Sequence, residues 1–176
     1  AIIPPDLENL SSLNRVKTKK DKIINFIYPS FGYVYKNFEI LGECSKILDK
    51  NSGWNGKIIF TININDNKYS KDFYEKYKDC KSLSFIGFQS QDGIKQLYER
   101  ADALIFPSVL ETWGLPLTEA KKFNIPIIAS DLHYAHETIG NYHSVFYFDP
   151  YDAKNLASAL IKCNQGIDIF KSTSYP

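Results

Sequence analysis

From Lys22 onward, short apolar runs alternate with stretches of helical spacing. Lys22–Tyr28 (KIINFIY) is apolar along its length and predicts a buried strand. In Asn37–Asp49, Ile40, Leu41, Cys44, Ile47 and Leu48 fall on one helical face. Lys57–Ile62 predicts a second strand, and Lys71–Lys78, with Phe73, Tyr74 and Tyr77, a helix. Ser82–Phe88 and Gln91–Arg100 predict the next strand and helix, and Ala103–Pro107 a fourth strand. A helix follows at Leu115–Phe123, with Pro116 near its first turn, where a missing N–H costs nothing. Pro126–Ala129 is a fifth strand, Tyr134–Ile139 a short helix, Ser144–Phe148 a sixth strand and Ala153–Cys163 a last helix. Strands alternating with helices at this spacing mean βαβ units and a parallel sheet. Strands apolar throughout mean helices on both faces. The expected fold is therefore α/β: a three-layer, doubly wound parallel sheet of about six strands, Rossmann-like. Ligands in such a sheet bind beyond the carboxyl ends of the strands, near the switch in strand order.

Residues 1–21 lack this period. Pro4-Pro5 and Lys17-Thr18-Lys19-Lys20 mark them as a linker, with a domain over 22–165 and a truncated tail over 166–176. The chain of 176 residues contains no Met, even at position 1, which reads as a piece of a longer protein. Its 21 basic and 20 acidic residues balance to +1, and only Arg15 and Arg100 are arginines. No strong field draws in nucleic acid, so nucleic acid is not an expected partner. Cys44, Cys80 and Cys163 are few and far apart, which favours a reducing, cytoplasmic setting over a disulfide or zinc scaffold. No apolar run approaches the roughly 20 residues that span a bilayer. Attachment of a longer protein at the inner face of a membrane stays open. His133 and His136 lack a convincingly spaced third ligand, so no metal is expected. Neither G-x-G-x-x-G nor a P-loop follows a strand.

The chemistry concentrates in PSVLETWGLPLTEA, Pro107–Ala120. This segment follows a strand and opens a helix, so it lies at the carboxyl edge of the sheet. Gly114 allows a tight turn and a close backbone approach. First-turn N–H groups and the helix dipole favour an anion such as phosphate. Pro116 offers no N–H, so the donors would be neighbours such as Leu115 and Leu117. Glu119 is expected in the first turn, where its two oxygens can accept from vicinal hydroxyls, and Glu111 faces the same cleft from the loop. The competing reading is ordinary capping, in which Thr118 or Glu119 serves only the helix end.

Glu111 and Glu119 together form an E-x7-E pattern, and the text around them resembles glycosyltransferase family 4. FPSVLETWGLPLTEA is similar to its P-S-x-x-E-x-[FW]-G-L-P-x-x-E-A segment. Ser84–Ser108, Ile125–Gly140 and Val145–Leu160 resemble the regions flanking that motif, and Ile27–Asn37 its phosphate-binding entry with a Lys-Asn pair. IIPPDL near the start is similar to the linker after that family's N-terminal domain.

The resemblance implies the C-terminal, donor-binding half of a retaining enzyme with the GT-B fold. Lys36 would neutralise the diphosphate leaving group and Glu119 would hold the ribose hydroxyls. Glu111 would sit near the transferred sugar, positioned by the amides of Gly114 and Leu115. Gly87 and Phe88 would line the base, although Phe88 fits a core position equally. Glu137 matches a further acidic position, or pairs locally. Family members often carry an Arg five residues before the Lys; here that residue is Phe31, so diphosphate binding would rest on Lys36 and backbone amides. The implied partner is a nucleotide sugar, bound without metal or cofactor, with a missing N-terminal domain holding the acceptor. The implied product class is a polysaccharide or glycoconjugate. The chain alone would not transfer sugar. A non-catalytic nucleotide-sugar module and a GT-B sugar-nucleotide epimerase remain the alternatives.

Overall fold

The apolar runs become parallel strands because helices cover both of their faces. The computed structural model describes residues 23–174. The elements are β1 (Ile24–Tyr28), α1 (Phe38–Leu48), β2 (Gly56–Phe60), α2 (Lys68–Tyr77), β3 (Leu83–Phe85), α3 (Gln91–Arg100), β4 (Ala103–Phe106), α4 (Leu115–Lys122), β5 (Ile127–Ser130), α5 (His133–Ile139), β6 (Val145–Phe148) and α6 (Ala153–Asn164). A 3-10 turn, Val34–Lys36, precedes α1. The six strands form one sheet in the order 3-2-1-4-5-6, and every pairing is parallel. β4 and β5 are buried at every position, as strands covered on two faces should be.

The chain winds outward from the centre twice. From β1 it runs to β2 and β3; it then crosses back to β4, beside β1, and runs to β5 and β6. Right-handed crossovers put the helices of the two halves on opposite faces. Accordingly α1 packs with α2, and α4 with α5, while α6, after the last strand, crosses back to pack on α1. On the α1 side, Tyr28, Phe38, Phe60, Phe73 and Phe85 interlock with ring centroids 5.3–6.0 Å apart. Edge-on and tilted pairs of this kind add about 0.5–1.5 kcal/mol each beyond area burial. The neighbours β1 and β4, with Phe26 opposite Ala103 and Ile27 opposite Leu104, define the switch point, where loops diverge and open a crevice.

Two element boundaries depart from the sequence expectation by three residues. α2 starts at Lys68 rather than Lys71 because the Asn67 side chain accepts from the Ser70 N–H at 2.8 Å and caps the helix there. β3 ends at Phe85 rather than Phe88. It is an edge strand paired only with β2, and the chain turns away through Gly87 at φ +72°. The expected linker, residues 1–21, lies outside the described residues. The segment after α6 returns to the sheet edge, where Lys171 and Val145 exchange two backbone bonds of 3.0 Å. Among the described residues no helix is long and apolar enough to cross a membrane.

Candidate active site at the carboxyl edge of the sheet

β1 and β4 deliver Lys36 and Glu111 to one point. The two side chains are 75 residues apart in sequence, yet Lys36 Nζ donates to Glu111 Oε1 at 2.5 Å. Only 12% of the Lys36 side chain and 11% of the Glu111 side chain are exposed. The ammonium also lies 5.3 Å from the centroid of the Tyr35 ring and 5.7 Å from that of Phe106.

The backbone under Lys36 is held from four directions. The Tyr28 hydroxyl, at the end of β1, donates to the Lys36 carbonyl at 2.9 Å. A hydroxyl has one proton, so the 3.0 Å contact between Tyr28 and Ser108 has Ser108 as donor. Val109 N–H donates to the Tyr35 carbonyl at 2.8 Å. Asn37 adopts the left-handed region at φ 54°, and its side-chain amide donates to the carbonyls of Pro107 and Pro150 at 3.2 and 2.9 Å. That amide ties together the loops leaving β1, β4 and β6. Tyr134 of α5 donates to the Ser108 carbonyl at 2.6 Å. Burial pushes the Tyr28 and Tyr134 hydroxyls well above the ordinary phenol range, and the charge of Glu111 pushes the same way. Both therefore stay protonated and able to donate.

The Glu111 loop is pinned at its far end. The Thr138 hydroxyl donates to the Trp113 carbonyl at 2.5 Å, and the Trp113 indole N–H donates to Thr118 Oγ1 at 3.1 Å. Gly114 then caps α4 at φ 77°. A Cβ there would lie 3.1 Å from Leu117 Cδ1 and 3.2 Å from the Phe106 ring, so both conformation and space require glycine.

Of the expected site residues, Lys36 and Glu111 are brought into contact, and the expectations for Glu119 and Leu117 change. Glu119 is not in the first turn: α4 begins at Leu115, which makes Glu119 its fifth residue. The dipole effect fades within the first turn, so Glu119 is set by a neighbour instead. Its Oε2 accepts from the Tyr98 hydroxyl at 2.8 Å. Capping is not its role, because the cap is Gly114 and Thr118 is engaged by Trp113. Leu117 cannot offer a free amide. Its N–H donates to the Gly114 carbonyl at 2.9 Å and its side chain is fully buried. The Leu115 amide precedes the first intrahelical bond, and the Leu115 side chain is exposed. Phe88 is 74% exposed, which removes the core reading and leaves its ring on the carboxyl edge beside Gly87.

Elsewhere, Lys121 reaches back to α5. Its Nζ donates to the carbonyls of Thr138 and Ile139 at 2.6 and 3.1 Å, closing the end of α5. His136 Nε2 contacts Asp131 Oδ1 at 2.6 Å, and Glu137 lies 3.9 Å from His133. Sequence reasoning missed Tyr28, Tyr98 and Thr138. A hydroxyl at the carboxyl end of a strand is a usable signal for Tyr28. For Tyr98, one aromatic on an amphipathic helix, nothing in the sequence separates it from the core.

The sheet order and its switch-point crevice are Rossmann-like, and by likeness to solved structures the fold is that of the C-terminal half of the GT-B architecture. Residues 12–165 match the family model described as Glycosyl transferases group 1, and the chain belongs to that family. The O-antigen chain mannosyltransferase RfbU of Salmonella typhimurium is 27% identical over 150 residues, covering 84% of this chain and 40% of its own length. The chain thus spans less than half of that relative. Among solved structures, the C-terminal domain of the glycosyl transferase group 1 family protein LpcC from Francisella tularensis superposes with a TM-score of 0.66. The two are 21% identical over 82% of this chain and 76% of that one. Anabaena Alr3699/HepE, solved in complex with UDP-glucose, gives 0.68 at 18% identity, over 83% of this chain and 40% of that one.

Proposed function

We propose that this domain holds the nucleotide-sugar donor of a retaining glycosyltransferase and stabilises the departing diphosphate without a metal. The observation that carries the reading is the convergence of Lys36 and Glu111 at the switch point, with Glu119 on the helix that Gly114 opens. Lys36 is a covered cation able to offset charge on the β-phosphate, where a low-dielectric setting strengthens the effect. Glu111 is placed to orient hydroxyls of the transferred sugar, with the Gly114 and Leu115 amides beside it. Glu119 takes the ribose hydroxyls, and Phe88 covers the base. In the transfer, the bond from the anomeric carbon to the phosphate oxygen breaks, and its electron pair leaves on the phosphate. The acceptor oxygen bonds to the same face of that carbon, and its proton passes to the departing phosphate. The cytoplasm suits three unpaired cysteines.

The acceptor would be held by a separate N-terminal domain. Phe31, Val34, Leu110 and Trp113, on the segments that leave β1 and β4, and Leu115, which opens α4, are all at least half exposed, which suits a face that another domain covers. Titration calorimetry in the presence of a chelator tests the donor site. Binding of UDP or GDP, with no sugar transfer by pure chain, is the expected outcome. The absence of binding at millimolar nucleotide overturns the reading.

A further inference from the structure

We propose that Tyr98 is the positioning residue for Glu119, aiming its carboxylate at the donor ribose; this rests on the ribose role given to Glu119 above. Tyr98 lies on α3 and Glu119 on α4, and the hydroxyl bridges the two helices. The ring is 1% exposed and stacks on Phe123, 5.1 Å between centroids and 7° between planes. It therefore cannot swing away. Its hydroxyl has two acceptors in reach, Glu119 Oε2 at 2.8 Å and the Pro116 carbonyl at 3.3 Å. One proton serves one of them, and the shorter, charge-assisted bond to the carboxylate takes it. That bond occupies Oε2 and leaves Oε1 for a ligand.

The bond also selects a rotamer. A glutamate in the middle of a helix normally samples several side-chain conformations, and ordering one on binding costs about 0.5–1.5 kcal/mol. Tyr98 meets that cost in the empty protein. Burial and the Glu119 charge both push the Tyr98 hydroxyl far above the ordinary phenol range. It is therefore a hydrogen-bond donor at neutral pH. The arrangement replaces the helix-dipole stabilisation that Glu119, in the second turn, does not have.

The test compares the wild-type chain with Tyr98→Phe and Glu119→Gln. Each is titrated with UDP, with its 2′,3′-dideoxy analogue and with inorganic pyrophosphate. Tyr98→Phe keeps the ring and the stack and removes one oxygen. The expected result is a loss of UDP affinity of about three- to tenfold, with affinity for the dideoxy analogue and for pyrophosphate unchanged. A purely structural role would lower the melting temperature or weaken all three ligands together, and either pattern without the ribose-specific loss overturns the proposal. Tyr98→Met, apolar and flexible enough to fill the site without a donor, repeats the comparison if the phenylalanine variant unfolds. Failure of Glu119→Gln to narrow the gap between UDP and its dideoxy analogue removes the ribose reading itself. Narrowing by Glu119→Gln but not by Tyr98→Phe removes only the positioning role.

Discussion

Replacing Lys36 with Met should destabilise this domain far more than any surface ion pair does. The Lys36 and Glu111 side chains are exposed by only 12% and 11%, whereas those of Lys68 and Asp72, an i,i+4 pair on α2, are exposed by 88% and 60%. An exposed helical pair contributes about 0.3–0.5 kcal/mol. Removing one partner of a covered pair strands the other charge out of water and costs about 3–5 kcal/mol. At the lower figure, a domain of this size loses about 6–12 °C in melting temperature. Urea unfolding of Lys36→Met, Glu111→Gln, the double variant and Lys68→Met measures this directly. The double variant removes both charges, so it should recover much of the loss, with a coupling of about 2 kcal/mol between the sites. Pyrophosphate titration supplies the functional arm. Lys36→Met should weaken binding, and Glu111→Gln should strengthen it, because the carboxylate competes with phosphate for the same ammonium. Two results would refute the reasoning: a Lys36→Met midpoint no lower than that of Lys68→Met, or a double variant that costs the sum of the singles.

Gly114→Ala should cost about 1–3 kcal/mol, since the residue is held at φ 77° and its Cβ would press on Phe106 and Leu117. UDP affinity should fall with it, because Lys36 rests over the Phe106 ring; an unchanged denaturation midpoint contradicts the strain argument. Alkaline pH should unfold the domain through its buried phenols. Burial holds Tyr28, Tyr98 and Tyr134 above the ordinary range and pushes Tyr147 up to about 12. The folded chain keeps protons that the unfolded chain loses near pH 10. Stability is therefore complete below that pH and falls as pH rises through the phenol range. Phenolate absorbance from these side chains should appear together with loss of the circular-dichroism signal; full titration near pH 10 in a still-native domain would contradict it.

The order of elements and the parallel sheet follow from local facts. Each strand is a short apolar run, each helix has one apolar face, and Pro116 and Gly114 punctuate the turn between β4 and α4. Those features act over a few residues, so the chain displays them without its fold. The E-x7-E spacing and the Lys-Asn pair are local too, which is why the resemblance could single out Glu111, Glu119 and Lys36 as candidates. Boundaries slipped where a single cap or an edge decided them, as Asn67 did for α2 and Gly87 for β3.

Contacts between distant segments belong to the tertiary structure alone. The sheet order puts β4 beside β1, and only that places Lys36 against Glu111 across 75 residues. The same packing carries the Lys121 ammonium to the last carbonyls of α5 and hands Glu119 to Tyr98. Local sequence carries propensity and period. Which polar groups meet, and which are left to face a ligand, is decided when helices and loops from separate crossovers compete for the same few hydrogen bonds.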